Sequence, residues 1–247
     1  MPIPPKLEDM TTTPLDASPT RPTLGPVVAA PLLADLTPLE QLRAGRMPRR
    51  LVQLVVGLWL YGTAMGMVIR STLGLDPWDV FHAGVVAHAD LSFGTVVIVV
   101  GALVLLLWVP LAQMPGLGTV ANVVLIGLAT DATLALLAAP DGMEARLALL
   151  VGGIVVNGLA GALYIGAQLG PGPRDGLMTG LVRRTGLSIR LVRTTLELTV
   201  LAVGFALGGQ VGLGTLLYAV AIGPLVQLFL PLCVVRLDTL PEPGESS

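Results

Sequence analysis

Six stretches of the chain are apolar over about the length that crosses a bilayer core, roughly 20 residues. They are residues 51–69, 93–112, 119–138, 147–168, 191–209 and 214–234, joined by short loops. Each is predicted to be a membrane-spanning helix. Residues 1–36 carry no long apolar run and are rich in Pro, Thr and Asp, so they read as a disordered cytoplasmic tail. Their apolar part at 27–36 is broken by Pro31 and is too short for a secretory signal. Thr37-Pro38-Leu39-Glu40 has the form of a capping box with proline first in the helix. It predicts a short interfacial helix ending near Gly45, with a basic flank to residue 50.

The same pattern occurs twice. Shifted by 96 residues, the chain aligns with itself without a gap, and about a third of positions 62–127 match. Gly62 falls on Gly158, Pro77 on Pro173, Asp79 on Asp175 and Gly127 on Gly223. Gly116-Leu117-Gly118-Thr119 falls on Gly212-Leu213-Gly214-Thr215. Three spans per half is an odd number, so the second half is expected upside down relative to the first, the plan of many secondary transporters. The expected organisation is membrane repeat 1 at 51–139, membrane repeat 2 at 140–235 and a short cytoplasmic tail at 236–247.

Composition agrees with a membrane chain. Of 247 residues, 53% are apolar and only 12% are charged, and the mean hydropathy is +0.82. A soluble enzyme carries about twice that charge. One cysteine, Cys233, excludes an intrachain disulfide and a cysteine metal cluster. Orientation follows the basic residues. Arg43, Arg46, Arg49 and Arg50 precede the first span, and Arg174, Arg183, Arg184, Arg190 and Arg193 fall in or beside the loop at 170–190. With both termini cytoplasmic, twelve basic residues lie inside, and two, Arg70 and Arg146, lie outside.

Between the first and second span of each half stands Leu-Gly-x-x-Pro-x-Asp, as Leu73-Gly74-Leu75-Asp76-Pro77-Trp78-Asp79 and as Leu169-Gly170-Pro171-Gly172-Pro173-Arg174-Asp175. About a dozen moderately apolar residues follow each copy, too few to span, so two re-entrant or interfacial half-helices are predicted. Two readings fit the motif. In one, Asp76 or Gly172 caps the helix, Pro77 or Pro173 is its first residue, and Asp79 or Asp175 meets its free N–H groups. In the other, the two inverted loops meet near mid-membrane, and their carboxylates line a substrate or ion site. Gly74, Gly170, Gly118 and Gly214 belong to the structural frame of either reading.

Glu197 and Asp131 are charges inside expected spans, where an uncompensated charge costs about 2.5–3.5 kcal/mol. Glu197 stands four residues after Arg193, which suits a helical ion pair as well as a functional role. Asn122 and Asn157 read as contacts between helices, as do the glycines inside the spans. Asp76, Asp79, Asp131, Arg174, Asp175 and Glu197 are the candidate binding residues for a small polar or ionic substrate. His82 stands one turn from Asp79 but lacks a further ligand beyond His88, so no metal site is expected. No hydrolase, zinc-protease or nucleotide motif occurs, and neither a catalytic activity nor a cofactor is expected. The basic loop at 183–193 suits anionic lipid head groups, and nothing points to nucleic acid.

At these motifs the sequence resembles the bacterial YczE/YyaS/YitT-type multi-pass membrane proteins, nearest the YczE branch. The resemblance rests on Gly74 to His82, Gly116 to Asn122, Gly170 to Met178 and Arg193 to Glu197, and it spans roughly 38–235. It implies an integral protein of the bacterial cytoplasmic membrane and leaves the activity open. The reading is therefore an all-α polytopic protein of six spans, a 3+3 inverted repeat with two half-helices, embedded in the lipid bilayer. Its expected function is that of a permease or secondary transporter, the alternative being a membrane accessory or scaffold for a biosynthetic or export complex. If Asp79 and Asp175 bind solute rather than only cap helices, Asp175→Asn is expected to insert normally and to fail in complementing a deletion strain.

Overall fold

The structure, a computed structural model, describes residues 33–34 and 36–237. The expected tail at 1–36 lies almost wholly outside the described residues, as does most of the tail at 236–247. The described chain is helical: α1 (Pro38–Arg43), α2 (Met47–Ser71), α3 (Pro77–Val86), α4 (Phe93–Trp108), α5 (Leu117–Leu136), α6 (Met143–Gly166), α7 (Pro173–Thr185), α8 (Ile189–Ala206) and α9 (Leu213–Cys233). Helices α2 to α5 start at 47, 77, 93 and 117, and α6 to α9 start at 143, 173, 189 and 213, each 96 residues later.

Local chemistry explains the starts. Thr37 and Glu40 satisfy one another's backbone N–H groups at α1. Asp76 accepts from the backbone N–H groups of Trp78 and Asp79 at 2.9 and 3.3 Å, ahead of Pro77 as the first residue of α3. Ser92 and Ser188 take up free N–H groups of α4 and α8. Arg50, expected only as part of a basic flank, is fully buried. Its Nε donates to the Ala167 carbonyl at 2.8 Å and its Nη2 to Gln168 O at 2.6 Å, where α6 leaves carbonyls unpaired.

Among the described residues, four helices are long and apolar enough to cross a membrane: α2, α5, α6 and α9. The other two expected spans fall short of that standard for different reasons. Helix α4 was expected to run to 112 but stops after 16 residues at Trp108. Pro110 stands two residues on, and a proline has no N–H with which to continue the helical ladder. Helix α8 reaches 18 residues but carries Arg190, Arg193 and Glu197.

Helices α2 and α6 form a central pair, with α5 packed on α2 and α9 on α6. Repeat-related glycines make both side contacts: a Cβ on Gly62 would stand 2.7 Å from Ala129 Cβ, and one on Gly158 would stand 2.7 Å from Leu225 Cβ. In lipid, a close fit of this kind holds helices together, because lipid tails are as apolar as leucine. The short helices are exchanged. Helix α3 lies chiefly against α8, and α7 against α4, each on a helix of the other half.

The repeated motifs pin this exchange. Gly74 and Gly170 have φ of +115° and +118°, a region open to glycine. Gly214 N donates to Leu73 O at 2.7 Å, and Gly118 N donates to Leu169 O at 2.6 Å. A Cβ on Gly74 would stand 2.8 Å from Gly212 Cα, and one on Gly170 would stand 3.0 Å from Gly116 Cα. Each Leu-Gly-x-x-Pro-x-Asp turn is thus clasped by the Gly-Leu-Gly-Thr start of the opposite half.

Candidate functional site

The clasp sets the N-termini of α3 and α7 beside one another at the centre of the bundle. A cavity of about 110 Å³ lies there, lined by Asp76, Trp78 and Asp79 from the first turn and by Gly172, Arg174 and Asp175 from the second. Met65, Val97, Val100, Val104, Val123 and Ile126 form its apolar wall, and Tyr61, Asn122 and Tyr164 add polar ends. A second cavity of about 240 Å³ shares Tyr61, Trp78, Tyr164, Arg174 and Asp175 and continues to Asn157, Arg193, Glu197 and Gln227.

The carboxylates differ in their surroundings. Asp76 and Asp79 are 6% and 2% exposed. They belong to the turn and half-helix between spans, where burial pushes the Asp76 carboxyl up to about 8, with the neighbouring Asp79 carboxylate adding to the rise. Burial also raises Asp79, to about 6. His82 meets Asp79 Oδ1 through Nδ1 at 3.1 Å, and burial keeps its imidazole neutral, with its pKa lowered to about 4. Asp175 accepts from the Tyr164 hydroxyl at 2.7 Å and stands 3.9 Å from Arg174 Nε. The Arg174 side chain is 37% exposed, and it lines both cavities. The indole N–H of Trp78 is buried without a hydrogen-bond partner.

Four of the candidate residues, Asp76, Asp79, Arg174 and Asp175, thus come together at the first cavity. Glu197 joins Arg174 and Asp175 at the second and pairs with Arg193 at 3.0 Å. Asp131 lines neither cavity. It ties α5 to the start of α4, accepting from Ser92 Oγ at 2.5 Å and Gly94 N at 2.7 Å.

The site also contains residues that sequence reasoning passed over. Tyr61, Tyr164 and Trp78 line it, and Tyr218 donates to Asn157 Oδ1 at 3.0 Å nearby. The repeat held a signal for most of them. Trp78 and Arg174 occupy one register position, Tyr61 and Asn157 another, and Asn122 and Tyr218 a third. Polar side chains at matched positions of apolar helices mark the faces that turn toward the centre.

Residues 48–231 match a protein family described as "Family of unknown function (DUF6198)". The chain belongs to this family. An "Uncharacterized protein" of Haemophilus influenzae is 40% identical over 188 residues, covering 76% of this chain and 86% of the relative. The "Uncharacterized membrane protein YczE" of Bacillus subtilis is 32% identical over 74% of this chain and 86% of its own length. The "Uncharacterized protein YyaS" of the same organism is 23% identical over 72% of this chain and 90% of its own. No solved structure gives a significant match. Together with the four long apolar helices, these relatives make the chain a helical membrane protein of the YczE-like kind.

Proposed function

We propose that the protein is a secondary carrier of the bacterial cell membrane, not an enzyme, and that it moves a small charged or polar solute through the cavity between α3 and α7. In this reading α2, α4, α5, α6, α8 and α9 all cross the bilayer as a 3+3 inverted repeat, α3 and α7 are re-entrant, and both termini are cytoplasmic. The observation that carries it is the meeting of the two Leu-Gly-x-x-Pro-x-Asp turns over one polar chamber. The exchange of short helices between halves supports it, because a chamber built from both halves changes shape when one half moves against the other. A scaffold has no need of buried carboxylates around an internal chamber.

The test begins with purified protein and a panel of amines, amino acids, carboxylates, sugars and inorganic ions. A solute that binds the folded state raises the melting temperature by mass action. At least one panel member should do so for the native chain and not for Asp175→Asn, and should then be taken up by proteoliposomes. A panel that leaves the native protein unmoved, or a hit that Asp175→Asn binds equally well, would overturn the reading.

A further inference from the structure

Two halves in one register could be expected to close alike, and these do not. In the first half, Gly94 and Gly127 bring the backbones of α4 and α5 together, so that a Cβ on Gly127 would stand 2.5 Å from the Gly94 carbonyl. Asp131 adds its two hydrogen bonds across the same seam. The register counterparts of Gly94, Gly127 and Asp131 are Arg190, Gly223 and Gln227. An arginine cannot enter such a backbone contact, nothing stands within 4 Å of a Cβ on Gly223, and Gln227 faces the second cavity. Helices α8 and α9 are therefore parted where α4 and α5 are shut.

A third cavity, of about 300 Å³, lies farther along the same two helices, between α8 and the first turns of α9, walled by Leu198, Leu201, Val211, Leu216 and Ala219. Leu198 and Leu216 are 59% and 64% exposed, so this wall faces the outside of the bundle. The third cavity shares Glu197 with the second, and the second shares Arg174 and Asp175 with the first. The three form a series from an apolar outer groove to buried carboxylates.

The charges along the series do not balance. Asp79, Asp175 and Glu197 face Arg174 and Arg193, and Asp76 adds a fourth carboxyl that an incoming cation would ionise. Arg193 is taken by Glu197 at 3.0 Å, and the nearest acid to Arg174 is Asp175, at 3.9 Å. Asp76 and Asp79 share the field of Arg174 with Asp175 but form no ion pair with it, and excess negative charge in a low-dielectric chamber favours an opposite charge strongly. Tyr61, Trp78 and Tyr164 supply aromatic surfaces of the kind that hold organic cations.

We propose that the joined cavities bind a lipophilic organic cation, which arrives from the bilayer between α8 and α9 and sets its charge against Asp76 and Asp79. The proposal rests on the carrier reading and names the class of its solute.

The probe is radiolabelled tetraphenylphosphonium, measured by equilibrium binding to the purified full chain. Triphenylphosphine oxide, of similar aromatic bulk and no charge, and tetramethylammonium, a hydrophilic cation, serve as competitors. The label should bind saturably and be displaced by neither competitor. Asp76→Asn with Asp79→Asn should weaken it about tenfold or more. Ala219→Phe, which adds bulk to the third cavity, should weaken it too. Arg174→Gln should tighten binding by deepening the negative excess, a gain that no misfolded variant shows. Absent binding, displacement by triphenylphosphine oxide, or weaker binding to Arg174→Gln overturns the cation class. Equal competition by tetramethylammonium, or unaltered binding to Ala219→Phe, overturns the lateral route. If tetraphenylphosphonium fails while a panel solute still depends on Asp175, the class falls and the carrier reading stands.

Discussion

Asp131 and Asp175 are both carboxylates among apolar helices, and their partners give them different work. Asp131 holds the start of α4, so Asp131→Ala leaves the N–H of buried Gly94 without its acceptor, while the exposed Ser92 hydroxyl keeps Thr95 Oγ1 at 2.7 Å. The expected cost is about 1–3 kcal/mol of stability, the penalty for stranding one buried donor. Thermal unfolding in detergent measures it, and solute-induced stabilisation should survive. Asp175→Asn should do the reverse, because an asparagine oxygen still accepts from Tyr164 while the charge is gone. A larger loss of stability at Asp175 than at Asp131 would contradict this division. Depth in a span was legible from sequence for Asp131, and so it was grouped with the site. Its partner, 39 residues away in the chain, was not. The caps at Thr37 and Asp76 were legible because their partners lie within three residues.

At the scale of elements, the length of apolar runs and the capping motifs pointed to each described helix, and the repeat register holds for all four pairs of starts. The exchange of α3 and α7 between halves was not legible, because it depends on backbone contacts at Gly74 and Gly170 that leave no pattern of polarity. Helix α8 is the element on which the topology turns, since Arg190, Arg193 and Glu197 weigh against insertion. Its charges lie in its first half, and Arg193 and Glu197 pair, which leaves an apolar remainder to cross. Reporter fusions at residue 142 should read extracytoplasmic, at 186 cytoplasmic and at 210 extracytoplasmic. A cytoplasmic signal at 210 would take α8 out of the bilayer and end the inverted arrangement.

For the whole molecule, the two turns, the exchanged short helices and the central chamber stand or fall together. Asp79 reaches the chamber from one half and Asp175 from the other. If both face one solute, their losses cannot be independent, since residues that act on a shared partner couple by about 0.5–3 kcal/mol. The decisive measurement is uptake of a stabilising panel solute by proteoliposomes bearing the native chain, Asp79→Asn, Asp175→Asn or both substitutions, with folding checked for each. Each single change should reduce uptake to near background, and the double variant should fall no further. Uptake that persists in the double variant, or losses that simply multiply, would show that the two turns do not serve one site.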